Sequence, residues 1–298
     1  VSDIVPALAR EFLIAPDPPW HMPTVRDLAK RHRSSISSIH VAIARLREAG
    51  IIEVETRGPL GTFMVARSVG GLWRQAADGP MVVAMPLASS PQYEALATAI
   101  KQLLSQAALD VFLIFVRGSR QRLQTVRERR SDLSVMSSFA ADELCGPDDA
   151  VVTTLDLGSY NSGHRVYYAS ADTDGRPLRV IVDRLSADQQ LLTSLEFGDS
   201  VELVPAMTGQ IARMLSEGHG DAAIWTVDEM QVNRPPGILD RPLSDRVRDR
   251  VAGRETRAVL LGRASDAAVL RAATRPLAAA EVSRIQHAVL AGQIVPEY

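Results

Sequence analysis

The sequence predicts an α/β chain in two parts, a small helix–helix–hairpin module followed by a larger, two-lobed domain of alternating strands and helices. Three observations predict it. Residues 24–65 carry two short helical patterns and two β-branched runs joined by a Gly/Pro turn. From Met81 onward, short apolar runs alternate with helical periodicities, the pattern of βαβ units. A length of 298 residues suits about two domains.

A hydrophobic fraction of 46% and a charged fraction of 23% are ordinary for a globular protein, and the net charge of −2 carries no whole-chain mark of nucleic-acid binding. Its distribution does. Residues 1–68 hold nine Lys/Arg and seven Asp/Glu, and between Thr24 and Arg47 six basic residues face Asp27 alone. That is where a phosphate backbone would be met. One cysteine, Cys145, excludes an intramolecular disulfide and fits a reducing compartment. Its acidic turn, DELCGPDD, raises a thiol's pKa and argues against a catalytic thiolate. No apolar run of 18 residues and no charged-then-apolar leader is read, so no membrane span is expected. A secreted protein would rarely open with a DNA-reading motif, so the protein is expected in the cytoplasm.

The helix over residues 2–14 places Ile4, Leu8, Phe12 and Leu13 on one side, and Pro16, Pro18, Pro19 and Pro23 break it. Thr24 caps VRDLAKRH, which turns Val25, Leu28 and Ala29 inward. Ser34 or Ser35 caps the next helix, with Ile36, Ile39, Ile43 and Leu46 as its buried stripe and Gly50 as its C′ residue. The outer face of that helix presents Ser35, Ser37, Ser38, His40, Val41, Arg45 and Arg47. Short hydroxyls and an imidazole near a helix start can approach base edges, and basic residues can meet phosphates. The plain alternative is a solvated helix face. IIEVET and TFMVA read as strands joined by RGPLG, with Arg57 at the tip, near a minor groove or phosphate. Helix pair and hairpin together outline a winged helix-turn-helix. Its expected DNA-facing residues are Thr24, Arg26, Arg33, Ser35, Ser37, Ser38, His40, Arg45, Arg57, Gly61 and Thr62.

PTVRDLA, VAIARLREAGII and RGPLGTFMV resemble the winged-helix domain of the GntR group of bacterial regulators, whose hairpin typically ends in Gly-Thr-Phe/Tyr-Val/Leu. Two departures stand out: the recognition helix lacks the usual arginines at its start, and Pro59-Leu60 widens the turn. ARSVGGLWRQAADGP reads as a linker, with Trp73 able to pack on either side. The expected divisions are a DNA-binding domain over 1–68, a linker over 69–80 and an effector domain over 81–298.

MVVAMPL, DVFLIFVRG and DLSVMSS are strands separated by the helices SPQYEALATAIKQLLSQ and SRQRLQTVRERR, which predicts a parallel sheet with right-handed crossovers. VVTTLDLGSYNSGHRVYYAS crosses into a second set: RVIVD, SADQQLLTSLEF, VELVPA, TGQIARMLSEG and DAAIWTV. RETRAVLLGRA returns to the first lobe, and two helices close the chain. Two α/β lobes with a crossing out and another back resemble the type-2 periplasmic-binding-protein fold. The order of winged helix, linker and two lobes resembles the YhfZ family of bacterial regulators, with GTFMV, SDLSVMSS and EVSRIQHAVLAGQIVPEY as the stretches that carry it.

Ligands of open α/β sheets sit beyond the carboxyl ends of strands, at helix starts. The expected ligand loops of lobe one are Ser89-Ser90 with Tyr93, Arg117-Gly118-Ser119 and Ser137-Ser138. Lobe two contributes Asp183-Arg184, Thr208 and Thr226, and the crossing adds Tyr160-Asn161-Ser162 with His164. Hydroxyls and amides at helix starts, with Arg117 and Arg184, predict a small anionic metabolite. The plain alternative for each serine is an ordinary cap.

The six histidines are scattered without a second ligand at helical spacing, and neither phosphate-loop, dinucleotide-fold nor nucleophile-elbow motif occurs. Asp148-Asp149 and Asp172-x-Asp174 read as surface turns, and the five arginines of RQRLQTVRERR as a solvated face. No cofactor, no metal and no catalytic step are expected. The expectation is a homodimeric transcription regulator whose partners are double-stranded DNA and a small-molecule effector. The rival is a metabolite-converting enzyme with an N-terminal interaction module.

Overall fold

The computed structural model describes residues 4–77, 79–169 and 177–298. Asp172 and Asp174 lie outside the described residues. The chain forms two compact units whose bounds differ from the expected division at residue 81. One unit joins Val1–Met81 with Gln102–Phe112 and Ser265–Pro276; the other takes Val82–Lys101, Leu113–Ala264 and Leu277–Tyr298.

The first unit opens with α1 (Val5–Ile14), which buries Val5, Leu8, Ala9, Phe12 and Leu13. A two-residue strand, β1 (Trp20–His21), follows in the proline-rich stretch that reads only as a helix breaker. Then come α2 (Val25–Arg31), α3 (Ile36–Glu48), β2 (Ile52–Thr56), β3 (Thr62–Arg67) and α4 (Val69–Ala77). The caps are where the hydroxyls put them. Thr24 accepts the Asp27 N–H at 3.2 Å and Ser35 the Ser38 N–H at 3.0 Å. The strands order β1-β3-β2, so β1 covers the free edge of the hairpin. The buried side of α3 is Ile39, Ala42 and Leu46, whereas Ile36 is 47% exposed. Its place at the first helical residue, before the stripe meets α2, leaves it outward.

The expected linker is a helix. α4 buries Leu72, Trp73 and Ala76. Gly70, which reads as a boundary signal, is a packing residue: its N–H donates to the Ala107 carbonyl at 3.2 Å, and a Cβ there would stand 1.8 Å from the Ala108 carbonyl oxygen.

The lobes follow. The first comprises β4 (Met81–Met85), α5 (Pro91–Gln106), β5 (Val111–Phe115), α6 (Ser119–Arg127), β6 (Leu133–Ser137), α7 (Ser138–Leu144) and β7 (Asp149–Thr154). The second comprises β8 (His164–Tyr168), β9 (Arg179–Val182), α8 (Ala187–Phe197), β10 (Glu202–Pro205), α9 (Ile211–Ser216), β11 (Ala222–Thr226), α10 (Val227–Asn233), β12 (Leu239–Pro242) and α11 (Asp245–Val251). The chain returns through β13 (Ala258–Arg263), then α12 (Ala267–Ala273) and α13 (Ala279–Leu290). α12 belongs to the first unit.

The two sheets share one pattern, β5-β4-β6-β13-β7 and β10-β9-β11-β8-β12. β4/β6, β9/β10 and β9/β11 pair parallel, as βαβ crossovers require. β13 and β8, the strands that carry the chain between lobes, pair antiparallel to their neighbours, so each sheet is mixed rather than wholly parallel. Central strands β6 and β11 are buried at every position, which explains their continuous apolar runs. The lobes interlock through two helices. Phe139 of α7 packs with Val166, Leu192 and Ile224 of lobe two, and Ala187 of α8 packs with Leu123, Met136 and Val259 of lobe one. No helix among the described residues is long and apolar enough to cross a membrane.

Candidate functional site

The cleft between the lobes lies wholly within the second unit. It encloses about 60 Å³, lined from lobe one by Pro86, Leu87, Ser89, Tyr93, Arg117, Gly118, Ser119 and Arg122. Lobe two contributes Asp183, Ser186, Asp188, Gln189, Thr208, Trp225, Thr226 and Glu229, and the crossing segment Tyr160, Asn161 and His164. The convergence arises because β4, β5, β9 and β11 all end here, each followed by a helix start.

Of the expected ligand residues, Ser89, Tyr93, Arg117, Gly118, Ser119, Tyr160, Asn161, Asp183, Thr208 and Thr226 stand on this wall. Ser90, Ser137, Ser138 and Ser162 do not. Ser90 is buried behind it, where its hydroxyl caps the Tyr93 N–H at 3.3 Å. Ser137 caps the Ala140 N–H at 2.9 Å and donates to Asp188 at 2.5 Å. Ser138 donates to the Arg254 carbonyl, and Ser162 to Asp228. The Arg184 side chain is exposed away from the wall.

Arg117 lies on lobe one but is taken by lobe two. Its Nε and Nη2 donate to the Asp183 carboxylate at 3.0 and 2.8 Å, a two-pronged pair whose acid is 1% exposed. Thr208 Oγ1 and the Leu185 N–H donate to the same carboxylate at 2.6 and 2.9 Å. Burial pushes the Asp183 carboxyl up, but the Arg117 and Thr208 bonds outweigh it and hold it below the usual carboxylate range. Gly118 is at φ +81°, and a Cβ on it would stand 2.6 Å from Leu185 Cβ. Only glycine allows this approach of the lobes.

Arg122, expected on a solvated face, is 3% exposed. Its Nε donates to the Val135 carbonyl at 2.8 Å, Nη1 to the Val116 carbonyl at 3.0 Å and Nη2 to Tyr160 Oη at 2.9 Å. Asp149, expected in a surface turn, begins β7 and has its carboxylate buried against Arg127 at 2.5 Å. Cys145 behaves as its setting predicts: burial, then Asp149, raises its thiol.

Asp188 and Glu229 escaped the sequence reading because each lies in the first turn of a helix, where acids ordinarily balance the dipole. Burial pushes Asp188 up to about 7, against the Ser137 bond. Glu229, partly buried, accepts from Ser89 Oγ at 2.5 Å and Thr226 Oγ1 at 2.8 Å, and burial raises it too. Burial pushes His164 down to about 4, so its ring is neutral at pH 7. The expected anionic ligand meets a wall whose groups are already bonded among themselves. Ser89, Thr208 and Thr226, meant for it, serve the chain's own carboxylates, and among the described residues three acids share the wall with two guanidiniums.

A second hollow, about 270 Å³, is lined by Gln92, Leu157, Ser159, Ser283, Gln286 and His287 among others. Among the described residues no group of three or more His, Cys, Asp or Glu could hold a metal ion.

In the first unit, Thr24, Arg26, Arg33, Ser35, Ser37, His40, Arg45 and Arg57 are exposed, and Ser38, Gly61 and Thr62 are half-buried. Several of these bond within the chain, Thr24 to Asp27 at 2.7 Å among them. The Ser35 and Ser38 hydroxyls bond one another at 2.8 Å, and Arg57 pairs with Glu55 at 2.8 Å while stacking on Phe63 at 4.7 Å.

Two lobes of one strand pattern, crossed twice by the chain and closed on a polar cleft, define a periplasmic-binding-protein-like α/β fold. Residues 69–298 match the family described as YhfZ C-terminal domain, and the chain belongs to that family. It is 28% identical over 266 residues to the uncharacterized protein YhfZ of Escherichia coli strain K12, covering 88% of this chain and 86% of that one. That match is longer than the 69–298 segment and so takes in part of the N-terminal module. The crystal structure of YhfZ from Shigella flexneri superposes with a TM-score of 0.60 at 26% identity, over 74% of this chain and 93% of that one.

Proposed function

We propose that this chain is a cytoplasmic, ligand-responsive transcription regulator. In this reading residues 24–67 are a winged helix-turn-helix that binds double-stranded DNA as a homodimer, and the inter-lobe cleft binds a small effector without a chemical step. The observation that carries it is continuity. α5 begins among the cleft's serines and ends, at Gln102–Gln106, inside the compact unit that holds α2 and α3, and the chain returns from there through β5 to Arg117. A ligand that favours one arrangement of the lobes thus acts on elements shared with the module, and it shifts the equilibrium by its differential affinity for the two states.

Exposed Arg26, Arg33 and Arg45 suit phosphates, while Ser37 and His40 suit base edges. Ile36 and Val41, 47% and 55% exposed on α3, suit thymine methyl groups. One such module makes few base contacts, so two-fold pairing supplies the affinity. The test is selection of bound sequences from random duplexes by the full chain, followed by salt titration. The expected site is a palindrome with half-sites about 10 bp apart. Replacing Arg26, Arg33 and Arg45 by Ala is expected to lower the salt-dependence slope by about 3. Unchanged binding by that triple variant would overturn the reading.

A further inference from the structure

Five charged side chains line the cleft, and both cations are already committed. Arg117 is bonded to Asp183, and Arg122 to two backbone carbonyls and Tyr160 Oη. Among the described residues, Asp188 and Glu229 are left with hydroxyl donors alone, Ser137 for the first and Ser89 and Thr226 for the second. Among those residues Glu229 is without a cation and Asp188 has only the through-space charge of Arg122, and buried carboxylates so placed are costly to keep ionised.

A separate feature of the same wall points the same way. His164 Nδ1 is buried with no hydrogen-bond partner. A neutral imidazole offers one nitrogen as an acceptor. Tyr93 and Tyr160, edge to face at 5.2 Å, and Trp225 add aromatic surface, which attracts cations.

We infer that the cleft binds a small ligand through an ammonium group, received by the carboxylates of Asp188 and Glu229 with His164 as a further acceptor. This rests on the reading of the cleft as a ligand site. An ammonium has three donors and no acceptor, which matches a wall of acceptors. A phosphate or dicarboxylate would meet two acids and no uncommitted cation. The ligand class is therefore a small primary amine or amino alcohol, which carries no anionic group of its own.

The full chain is to be titrated by calorimetry and thermal unfolding with matched pairs that differ only in amine against hydroxyl: ethanolamine and ethylene glycol, putrescine and 1,4-butanediol. The amine of at least one pair is expected to bind and raise the Tm while its hydroxyl twin does not. Glu229→Gln is expected to lower that affinity by at least about tenfold, with circular dichroism reporting that the variant is folded. Equal binding by the twin, unchanged affinity in E229Q, or an anion identified by native mass spectrometry of the purified chain would overturn the ammonium assignment while leaving the cleft a ligand site. No binding across the panel together with no co-purified molecule would overturn the ligand-site reading itself, and this inference with it.

Discussion

In the cleft, Arg117, Arg122, Asp183, Asp188 and Glu229 lie within hydrogen bonds of named partners, and most are shielded from water. On the outer side of α3, by contrast, Ser37 and His40 stand in solvent. The same residue types therefore differ in what they cost to disturb. A buried charge is worth its whole desolvation cost when its partner is removed, whereas an exposed one is worth a fraction of a kcal/mol. Substitutions in the cleft therefore act on folding, whereas on the solvent side of α3 they are expected to leave folding largely untouched.

The sharpest way to break that contrast is Arg122→Ala. It leaves the Val135 and Val116 carbonyls and Tyr160 Oη without their donor, and a loss of roughly 3–5 kcal/mol is expected in urea unfolding. A loss below 1 kcal/mol would mean the guanidinium is not structurally engaged. Gly118→Ala should cost about 1–3 kcal/mol through the clash with Leu185, and small-angle scattering should show the lobes parting.

Next comes pH. Asp188 sits at about 7 in the fold against 3.8 for a free carboxyl, so its contribution is complete below about pH 4 and is lost as pH rises through 7. His164 runs the other way: at about 4 against 6.5, its contribution is complete above pH 6.5 and is lost as pH falls through 4. Urea midpoints for Asp188→Asn should lose the decline with rising pH and keep the acid-side loss. An unchanged profile would sink the assignment.

A double-mutant cycle on Arg117 and Asp183 should show coupling of about 1–3 kcal/mol. The smallest effect is expected on the hairpin. Arg57 pairs with Glu55, so on the proposed reading Glu55→Ala should strengthen duplex binding by under about 1 kcal/mol.

Local chemistry was readable wherever it alone decides the outcome. Thr24 and Ser35 cap their helices as expected, and the alternating runs became the strands and helices of two lobes. What tertiary packing decides was not readable. Arg122 shares its helix with exposed arginines, and nothing in their spacing separates the one that turns inward. Gly70 looks like a chain break because glycine marks both boundaries and close approaches. Ser137 and Ser90 have the right residue type at the right strand ends, yet their neighbours close over them. The acids of the wall look like dipole partners until the sheets are brought together.

The helical form of residues 69–77 has a consequence for transplantation. α4 packs with α1 and α12, Arg10 reaches the Ala76 carbonyl at 3.2 Å and Asp266 at 3.3 Å, and Gly70 lies against Ala107 and Ala108. The N-terminal module is thus no detachable cassette. A chimera cut at residue 69 or 81 would part α1 from Leu270 and Ala273, which are buried in the intact chain, and would leave an apolar scar on the recipient. A workable graft has to carry residues 102–112 and 265–276 along with the head.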